Sequence, residues 1–181
     1  MNRAKLWAIT SYFDFFDRRH RLSAYHEFRR RLSIPLVTVE LRFGGDFHLR
    51  GEDADILVRV SGGSVLWQKE RLLNLALRAL PGHAEAVAWL DCDVVFLRDD
   101  WPEALLQCLQ DFEMVQPFRR YYYQHRGERL EDVPIEPEGA FESAACRFTQ
   151  DRFPEEAYRS PGLSRKLRHV PGGAWAARRF Q

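Results

Sequence analysis

The stretch Ala86-Val87-Ala88-Trp89-Leu90-Asp91-Cys92-Asp93-Val94-Val95-Phe96 decides the fold, because an apolar run ends there in two aspartates one residue apart. A Pro81-Gly82 turn signal precedes this stretch, and the charged cluster Arg98-Asp99-Asp100 follows it. A short apolar run between such boundaries predicts a strand that is buried on both faces, as in parallel sheets. We therefore expect an interior strand at residues 87–90 with two carboxylates at its end.

These two aspartates also form a candidate metal site. Side chains alternate along an extended strand, so Asp91 and Asp93 are predicted to point the same way and Cys92 the other way. Two convergent carboxylates suit one hard divalent cation, which at the carboxyl edge of an α/β sheet would bridge protein oxygens to substrate phosphates. The alternative is that the three residues only end a strand and begin a turn.

Length and composition restrict the class of protein. The chain has 181 residues, enough for one α/β domain with a sizeable core. A formal net charge of +1 gives no electrostatic case for nucleic acid or a membrane surface as the main partner. Three widely spaced cysteines predict neither a disulfide framework nor a structural zinc site. We expect a cytoplasmic protein, because the apolar residues 6–9 are too few for a signal segment and no stretch reaches membrane-spanning length.

Strands and helices alternate in the predicted elements up to residue 118. The predicted strands lie at residues 5–10, 36–41, 56–60, 87–90 and 112–118, and the predicted helices at 18–32, 67–80 and from 101 onward. Residues 11–13 are predicted to enter a ligand-side loop after the first strand. This alternation is typical of an α/β/α sandwich with a mainly parallel central sheet. Beyond residue 118 no period is sustained, so residues 119–168 are interpreted as an irregular loop region.

Three segments together resemble the GT-A fold glycosyltransferases of the family 2 type, which use nucleotide-sugar donors. The segment Trp89–Phe96 is similar to the hydrophobic-Asp-x-Asp-hydrophobic signature of that class. Residues 67–74, WQKERLLN, resemble the helix with Lys/Arg and Asn ahead of it, and residues 171–176, PGGAWA, resemble a Gly-Gly-x-Trp segment near the sugars. The resemblance implies one Rossmann-like GT-A domain over residues 1–181, with a nucleotide-sugar-binding core at 1–118 and an acceptor-side segment at 169–181.

The same resemblance implies a metal-dependent transfer of a sugar from a nucleotide diphosphosugar to a hydroxyl acceptor. Mn²⁺ or Mg²⁺ would be held by Asp93, with Asp91 nearer the ribose or the metal's waters, so that the nucleoside diphosphate can leave. The implied metal ligands are therefore Asp91 and Asp93. The implied nucleotide-sugar contacts are Thr10, Ser11, Tyr12, Lys69, Asn74, Asp91, Gly172, Gly173 and Trp175.

The catalytic base cannot be assigned from the resemblance. Members of the class usually continue past the Gly-Gly segment into a region that supplies the base and often a metal-binding histidine. This chain ends near that point, and His169, which stands before the segment, does not match that histidine. We therefore expect donor binding to survive better than transfer unless an acidic residue of the loop region serves. The candidate bases are Glu131, Asp132, Glu136, Glu138 and Glu142.

Two other functions fit parts of the pattern. A non-catalytic domain that binds a nucleotide sugar or a glycan would need no base. Haloacid-dehalogenase-like phosphatases also carry Asp-x-Asp at a strand end, where the first aspartate is the nucleophile. Those enzymes place the motif on their first strand, whereas two or three predicted strands precede Asp91 here. They also require a later lysine, and Lys166 is the only lysine after Asp93.

Overall fold

The computed structural model of the chain describes residues 5–16, 19–64, 66, 68–125, 127–149, 169–170 and 173–179. The elements, in chain order, are β1 (Leu6–Phe13), α1 (Arg19–Arg31), β2 (Leu36–Arg42), β3 (Ile56–Ser61), α2 (Gln68–Ala79), β4 (Ala86–Leu90), α3 (Trp101–Asp111), β5 (Met114–Val115), β6 (Arg120–Tyr121), β7 (Phe141–Ser143), α4 (Ala144–Thr149), β8 (His169–Val170) and β9 (Ala174–Arg178). Short 3-10 helices lie at Gly51–Asp53 and Leu130–Asp132.

The central sheet has six strands in the order β3-β2-β1-β4-β9-β5. The strands β1 to β4 are mutually parallel, and β9 runs antiparallel to both β4 and β5. The strand β4 lies between β1 and β9, so the prediction of an interior strand at residues 87–90 is confirmed. The prediction of an α/β fold with a mainly parallel sheet is also confirmed.

The sheet buries both faces because apolar side chains occupy successive positions of its inner strands. Leu6 and Ala8 of β1 belong to a core that is covered by α1 and α3. Trp7 and Ile9 belong to a second core, on the opposite face, that is covered by α2. Alternation along the strand sends neighbouring residues to opposite faces, so a continuous apolar run requires helices on both sides.

The predicted loop at residues 11–13 is wrong, because β1 continues through these residues. Ser11, Tyr12 and Phe13 pair with β2 in the same parallel register as the residues before them. Tyr12 is fully buried, and aromatic residues suit a pleated, half-buried surface well enough to extend a strand. The loop on the ligand side of β1 therefore begins at Asp14.

The predicted strand at residues 112–118 is also largely wrong, because only Met114–Val115 pair in the sheet. The backbone N–H of Phe112 still donates to the carbonyl of Cys108, 3.0 Å away, and so ends helix α3. Pro117 has no N–H to donate, which prevents it from continuing a ladder of hydrogen bonds. The chain then leaves the central sheet.

The region at residues 119–168 is more ordered than predicted in its described part. The strands β6, β7 and β8 form a second, three-stranded sheet, and α4 follows β7 directly. Each of these strands has only two or three residues, too few to show a period in the sequence. Residues 150–168 lie outside the described residues.

Within the described ranges, no helix has the length and apolar character that crossing a membrane requires.

Glu40 is a fully buried carboxylate that holds the loop after β2. It accepts hydrogen bonds from the backbone N–H of His48 at 2.6 Å and of Leu49 at 3.2 Å. We expect Glu40→Ala to lower the free energy of unfolding by about 2–5 kcal/mol, because the part-buried N–H of His48 and the buried N–H of Leu49 lose their acceptor. Urea denaturation followed by circular dichroism measures this change. The matched control is Glu52→Ala at an exposed position, which should stay within about 0.5 kcal/mol of the parent. Equal stability of the two variants would contradict the structural role of Glu40.

Candidate functional site

The end of β4 is fixed by β9 and then turns. The backbone N–H of Asp91 donates to the carbonyl of Gly173 at 2.7 Å, which extends the pairing of the two strands by one residue. The N–H of Val94 then donates to the carbonyl of Asp91 at 3.2 Å and closes a turn. The prediction that Asp91 to Asp93 continue in extended conformation is therefore wrong. Aspartate is favoured at the start of turns, which explains the early end of the strand.

The two aspartates nevertheless occupy one corner at the carboxyl end of β4. The Asp91 side chain is one-third exposed and forms an ion pair with Lys69, in the first turn of α2. The Asp93 side chain is exposed and lines a cavity. The structure thus brings together three predicted site residues from two elements, and the position of Lys69 beside Asp91 depends on how α2 packs on the sheet.

The surroundings of Asp93 disfavour the ionised form of its carboxylate. Although the side chain is exposed at the surface, neighbouring atoms remove part of its hydration and raise its pKa, and the negative charge of Asp91 raises the pKa further, while Arg21 and Lys69 oppose the shift. Between the two aspartates, Cys92 is buried, and desolvation followed by the charge of Asp93 raises the pKa of its thiol to about 12. Cys92 therefore remains a neutral packing residue, whereas the ionised pair of carboxylates would gain from a nearby cation.

Arg21 is a site residue that the sequence analysis missed. It lies in α1, its guanidinium is 5.2 Å from the centre of the Phe13 ring, and its charge lowers the pKa values of both Cys92 and Asp93. Arg21 precedes the buried Tyr25 by four residues and Phe28 by seven, so all three share one face of the helix. That shared face was the available signal, because it distinguishes Arg21 from the exposed Arg30 and Arg31 at the end of α1.

Gly173 forms a close contact with the second sheet. Its φ of +90° lies in the region that favours glycine, and a Cβ built there would stand 3.2 Å from Cε2 of Tyr121. Burial and then the charges of Asp93, Tyr123 and Asp91 raise the pKa of Tyr121 to about 12. Tyr121 is therefore packed beside both aspartates. Of the predicted Gly-Gly pair, Gly173 is at the site, and Gly172 lies outside the described residues.

A cavity of about 680 Å³ opens beside Asp93. The turn after β4 forms one wall, the start of α3 forms another, and residues 117–124 with residues 130–140 form the rest. Its volume lies within the range of small-molecule sites, which are typically about 300–1,000 Å³. The cavity is thus large enough for a sugar or a short oligosaccharide next to the carboxylates.

The other predicted donor contacts differ in how accessible their side chains are to a ligand. Thr10 and Tyr12 are fully buried in β1, where the Thr10 hydroxyl donates to the carbonyl of Leu90 at 2.7 Å. Ser11 is nearly buried in the same strand. Asn74 is exposed, about 7.5 Å along the axis of α2 from Lys69. Trp175 lies inside β9, opposite Trp89 of β4, so its position is first of all structural.

One of the five candidate bases lines the cavity. Glu136 shares the cavity wall with Asp93, its carboxylate is exposed, and the Arg120 guanidinium lies 3.3 Å away. The described lining contains none of the other four. Glu131 forms ion pairs with Arg31 and Arg129, and Glu142 lies 3.9 Å from Arg147. Asp132 and Glu138 are exposed. His169 contributes its backbone to β8, and its side chain lies outside the described parts.

The two aspartates fit the donor set of a small divalent cation that is shared with a substrate. Mg²⁺ commonly binds through one or two carboxylates while waters and phosphate oxygens supply its other ligands. Asp91 and Asp93 lie at one corner, and a cation there would offset the charge of Asp91, which raises the pKa of Asp93. Over the described ranges, no group of three or more His, Cys, Asp or Glu side chains is arranged to hold a metal. A cation at this pair would therefore need further ligands from waters or from a substrate.

Comparison with known proteins adds no family to this description. No protein-family model matches the chain, and no curated protein matches it at a significant level. The fold defines a coarser class, an α/β protein with carboxylates at the carboxyl end of an interior strand, where such sheets usually bind ligands. What this protein does must therefore be argued from its own residues and their chemistry.

Proposed function

We propose that this chain is a GT-A glycosyltransferase that moves a sugar from a nucleotide diphosphosugar to a hydroxyl acceptor with the help of Mn²⁺ or Mg²⁺. The observation that carries the proposal is the corner formed by Asp91, Asp93 and Lys69 beside a cavity of about 680 Å³. It combines two anions that suit a cation, one cation that suits a phosphate, and space for a second substrate.

Each charged side chain at the corner has a distinct role in this proposal. Asp93 is exposed and would be the direct metal ligand, and Asp91 would orient the metal's waters or the donor ribose. Lys69 is half-exposed and would exchange its ion pair with Asp91 for a contact with a donor phosphate. The bound cation would supply Lewis-acid neutralisation of the leaving diphosphate. Arg21 adds a positive charge that acts on Asp93.

Glu136 is the base that fits this proposal best among the five candidates. A general base must reach the proton of the acceptor hydroxyl, and Glu136 faces the cavity in which an acceptor would lie. The Arg120 guanidinium, 3.3 Å away, forms an ion pair with the carboxylate and orients it. The acceptor hydroxyl would lose its proton to Glu136 as its oxygen attacks the anomeric carbon of the donor sugar.

A thermal-shift panel tests the proposed function. At about 100 times Kd, a ligand specific for the folded state should raise the melting temperature by about 5–10 °C for a chain of this length. We expect this shift with at least one UDP-, GDP- or dTDP-sugar when Mn²⁺ is present, and a smaller shift in EDTA. A CMP-sugar, which has one phosphate, is the matched control. The absence of any shift from every diphosphate donor in Mn²⁺ would refute the proposal.

A further inference from the structure

Several aromatic side chains form part of the wall of the cavity beside Asp93. Phe96 and Trp101 stack with their ring centres 4.1 Å apart, and Tyr121 and Tyr123 meet edge to face at 5.0 Å. These four residues all line the cavity, and Tyr123 is 59% exposed. The faces of aromatic rings carry negative partial charge and attract the C–H groups on the apolar face of a sugar ring. Exposed rings beside a cavity therefore favour carbohydrate over a purely polar ligand.

Arginines provide the second feature of this wall. Arg98, Arg119 and Arg120 line the cavity, and two of them are already paired, Arg98 with Asp100 and Arg120 with Glu136. Within the described part of the chain, the Arg119 guanidinium forms no ion pair or hydrogen bond. The Arg119 backbone is held in place, because its carbonyl accepts a hydrogen bond from the N–H of Ser143 at 2.8 Å. An exposed guanidinium that has no ion-pair partner among the described residues is thus attached to a hydrogen-bonded backbone position at the edge of an aromatic cavity.

From this combination we propose that the cavity binds an acidic glycan, with a sugar ring on Tyr123 and a carboxylate or phosphate substituent at Arg119. This inference rests on the proposed function, for which it names the class of acceptor. A guanidinium binds carboxylate and phosphate groups through two parallel hydrogen bonds, which a neutral sugar cannot match. Arg119 would therefore produce the preference for acidic glycans. The aromatic rings would contribute equally to the binding of acidic and neutral glycans.

The position of Glu136 agrees with this assignment. Its carboxylate is compensated by Arg120, so it does not cancel the charge of Arg119. Asp93 lies at another part of the same lining, and there the cation of the proposed function would reduce repulsion toward an acidic ligand. A glycan in the cavity would thus lie between the candidate base and the donor corner.

The test compares matched acidic and neutral oligosaccharides that bind without a donor. Tetragalacturonate and its carboxyl-reduced, neutral counterpart are titrated into the full chain, with detection by saturation-transfer NMR and by the fluorescence of tryptophans such as Trp101. A second pair, mannose 6-phosphate and mannose, distinguishes a phosphate from a carboxylate as the anionic group. We expect the parent protein to prefer at least one acidic member by about tenfold, the effect of one charge-assisted contact.

The variants separate the two contributions to binding. Arg119→Gln should remove the acidic preference and leave the neutral counterpart unaffected, whereas Tyr123→Ala should weaken both members of the pair. The controls are Arg78→Gln and Phe112→Ala, two exposed positions outside the cavity, which should behave as the parent does. Failure of the parent to bind any acidic member, or equal binding of both members of each pair, would overturn the proposal. So would an acidic preference that survives in Arg119→Gln.

Titration of the same parent protein with UDP-, GDP- and dTDP-sugars in Mn²⁺ keeps this outcome separate from that of the proposed function. Selective binding of an acidic glycan without any donor binding would support the cavity assignment and refute the transferase. Donor binding without glycan selectivity would support the transferase and refute the acidic acceptor.

Discussion

Asp93→Asn is expected to weaken nucleotide-sugar binding in Mn²⁺ by about 10–100-fold, down to the affinity measured in EDTA. The amide keeps the shape of the side chain but loses the negative charge that would hold the cation. The fold should not be weakened, because burial and the charge of Asp91 already disfavour the ionised carboxylate and raise its pKa. Isothermal titration calorimetry with and without Mn²⁺ measures the affinity, and differential scanning calorimetry measures the melting temperature.

The matched control for this variant is Asp111→Asn. Asp111 is an exposed carboxylate at the last residue of α3, and that helix runs back from the carboxyl edge of the sheet. The control should retain the affinity of the parent in Mn²⁺ and in EDTA. If Asp93→Asn and the parent bind the donor equally at saturating Mn²⁺, the turn at residues 91–94 has only a structural role.

Glu136→Gln should lower the rate of sugar transfer by about 10²–10⁴-fold, the usual contribution of a general base. Glutamine can still accept a hydrogen bond from Arg120, 3.3 Å from the present carboxylate, so the cavity should keep its shape. Donor affinity should be unchanged, because Glu136 lies among residues 130–140 and the donor corner is built by other segments. A coupled assay of nucleoside diphosphate release measures the rate at saturating donor and acceptor.

Glu138→Gln is the control for the candidate base. Glu138 is exposed, two residues away, and absent from the described cavity lining, so its loss should leave the rate unchanged. The opposite pattern, with a normal rate in Glu136→Gln and a slow one in Glu138→Gln, would assign the base to Glu138. Loss of donor binding in Glu136→Gln would instead show that the residue organises the site.

The four parallel strands of the central sheet were predictable because their signals are local and long, whereas β5 was predicted too long and β9 was not predicted as a strand. The strands β1, β2 and β4 carry runs of buried apolar residues, and β3 carries a run of partly buried ones. The helices α1, α2 and α3 carry apolar residues at helical spacing. The short strands β6, β7 and β8 were not predictable. A strand of two or three residues is too short to show a repeat of apolar and polar positions. Its pairing also depends on segments that lie far apart in the chain, as Glu142 and His169 do.

The candidate site was predictable only in part, for a related reason. The sequence pattern identifies Asp91 and Asp93 as candidate site residues, because two carboxylates directly follow a run of apolar residues. It does not show that Lys69 reaches Asp91, that the charge of Arg21 acts on Asp93, or that Gly173 approaches Tyr121. Each of these contacts joins different elements, so each depends on packing and not on spacing along the chain.

By itself, the sequence determined the α/β class, the interior position of β4 and the place of two carboxylates at its end. These features follow from apolar runs, turn residues and helical spacing, which act over a few residues. Only the tertiary structure decided that β1 runs past its predicted end and that Asp91 to Val94 form a turn. It also decided that Glu136 and Arg119 face one cavity with Asp93. The physical reason is that strand pairing and cavity walls are made by residues distant in sequence, whose contacts exist only when the chain is folded.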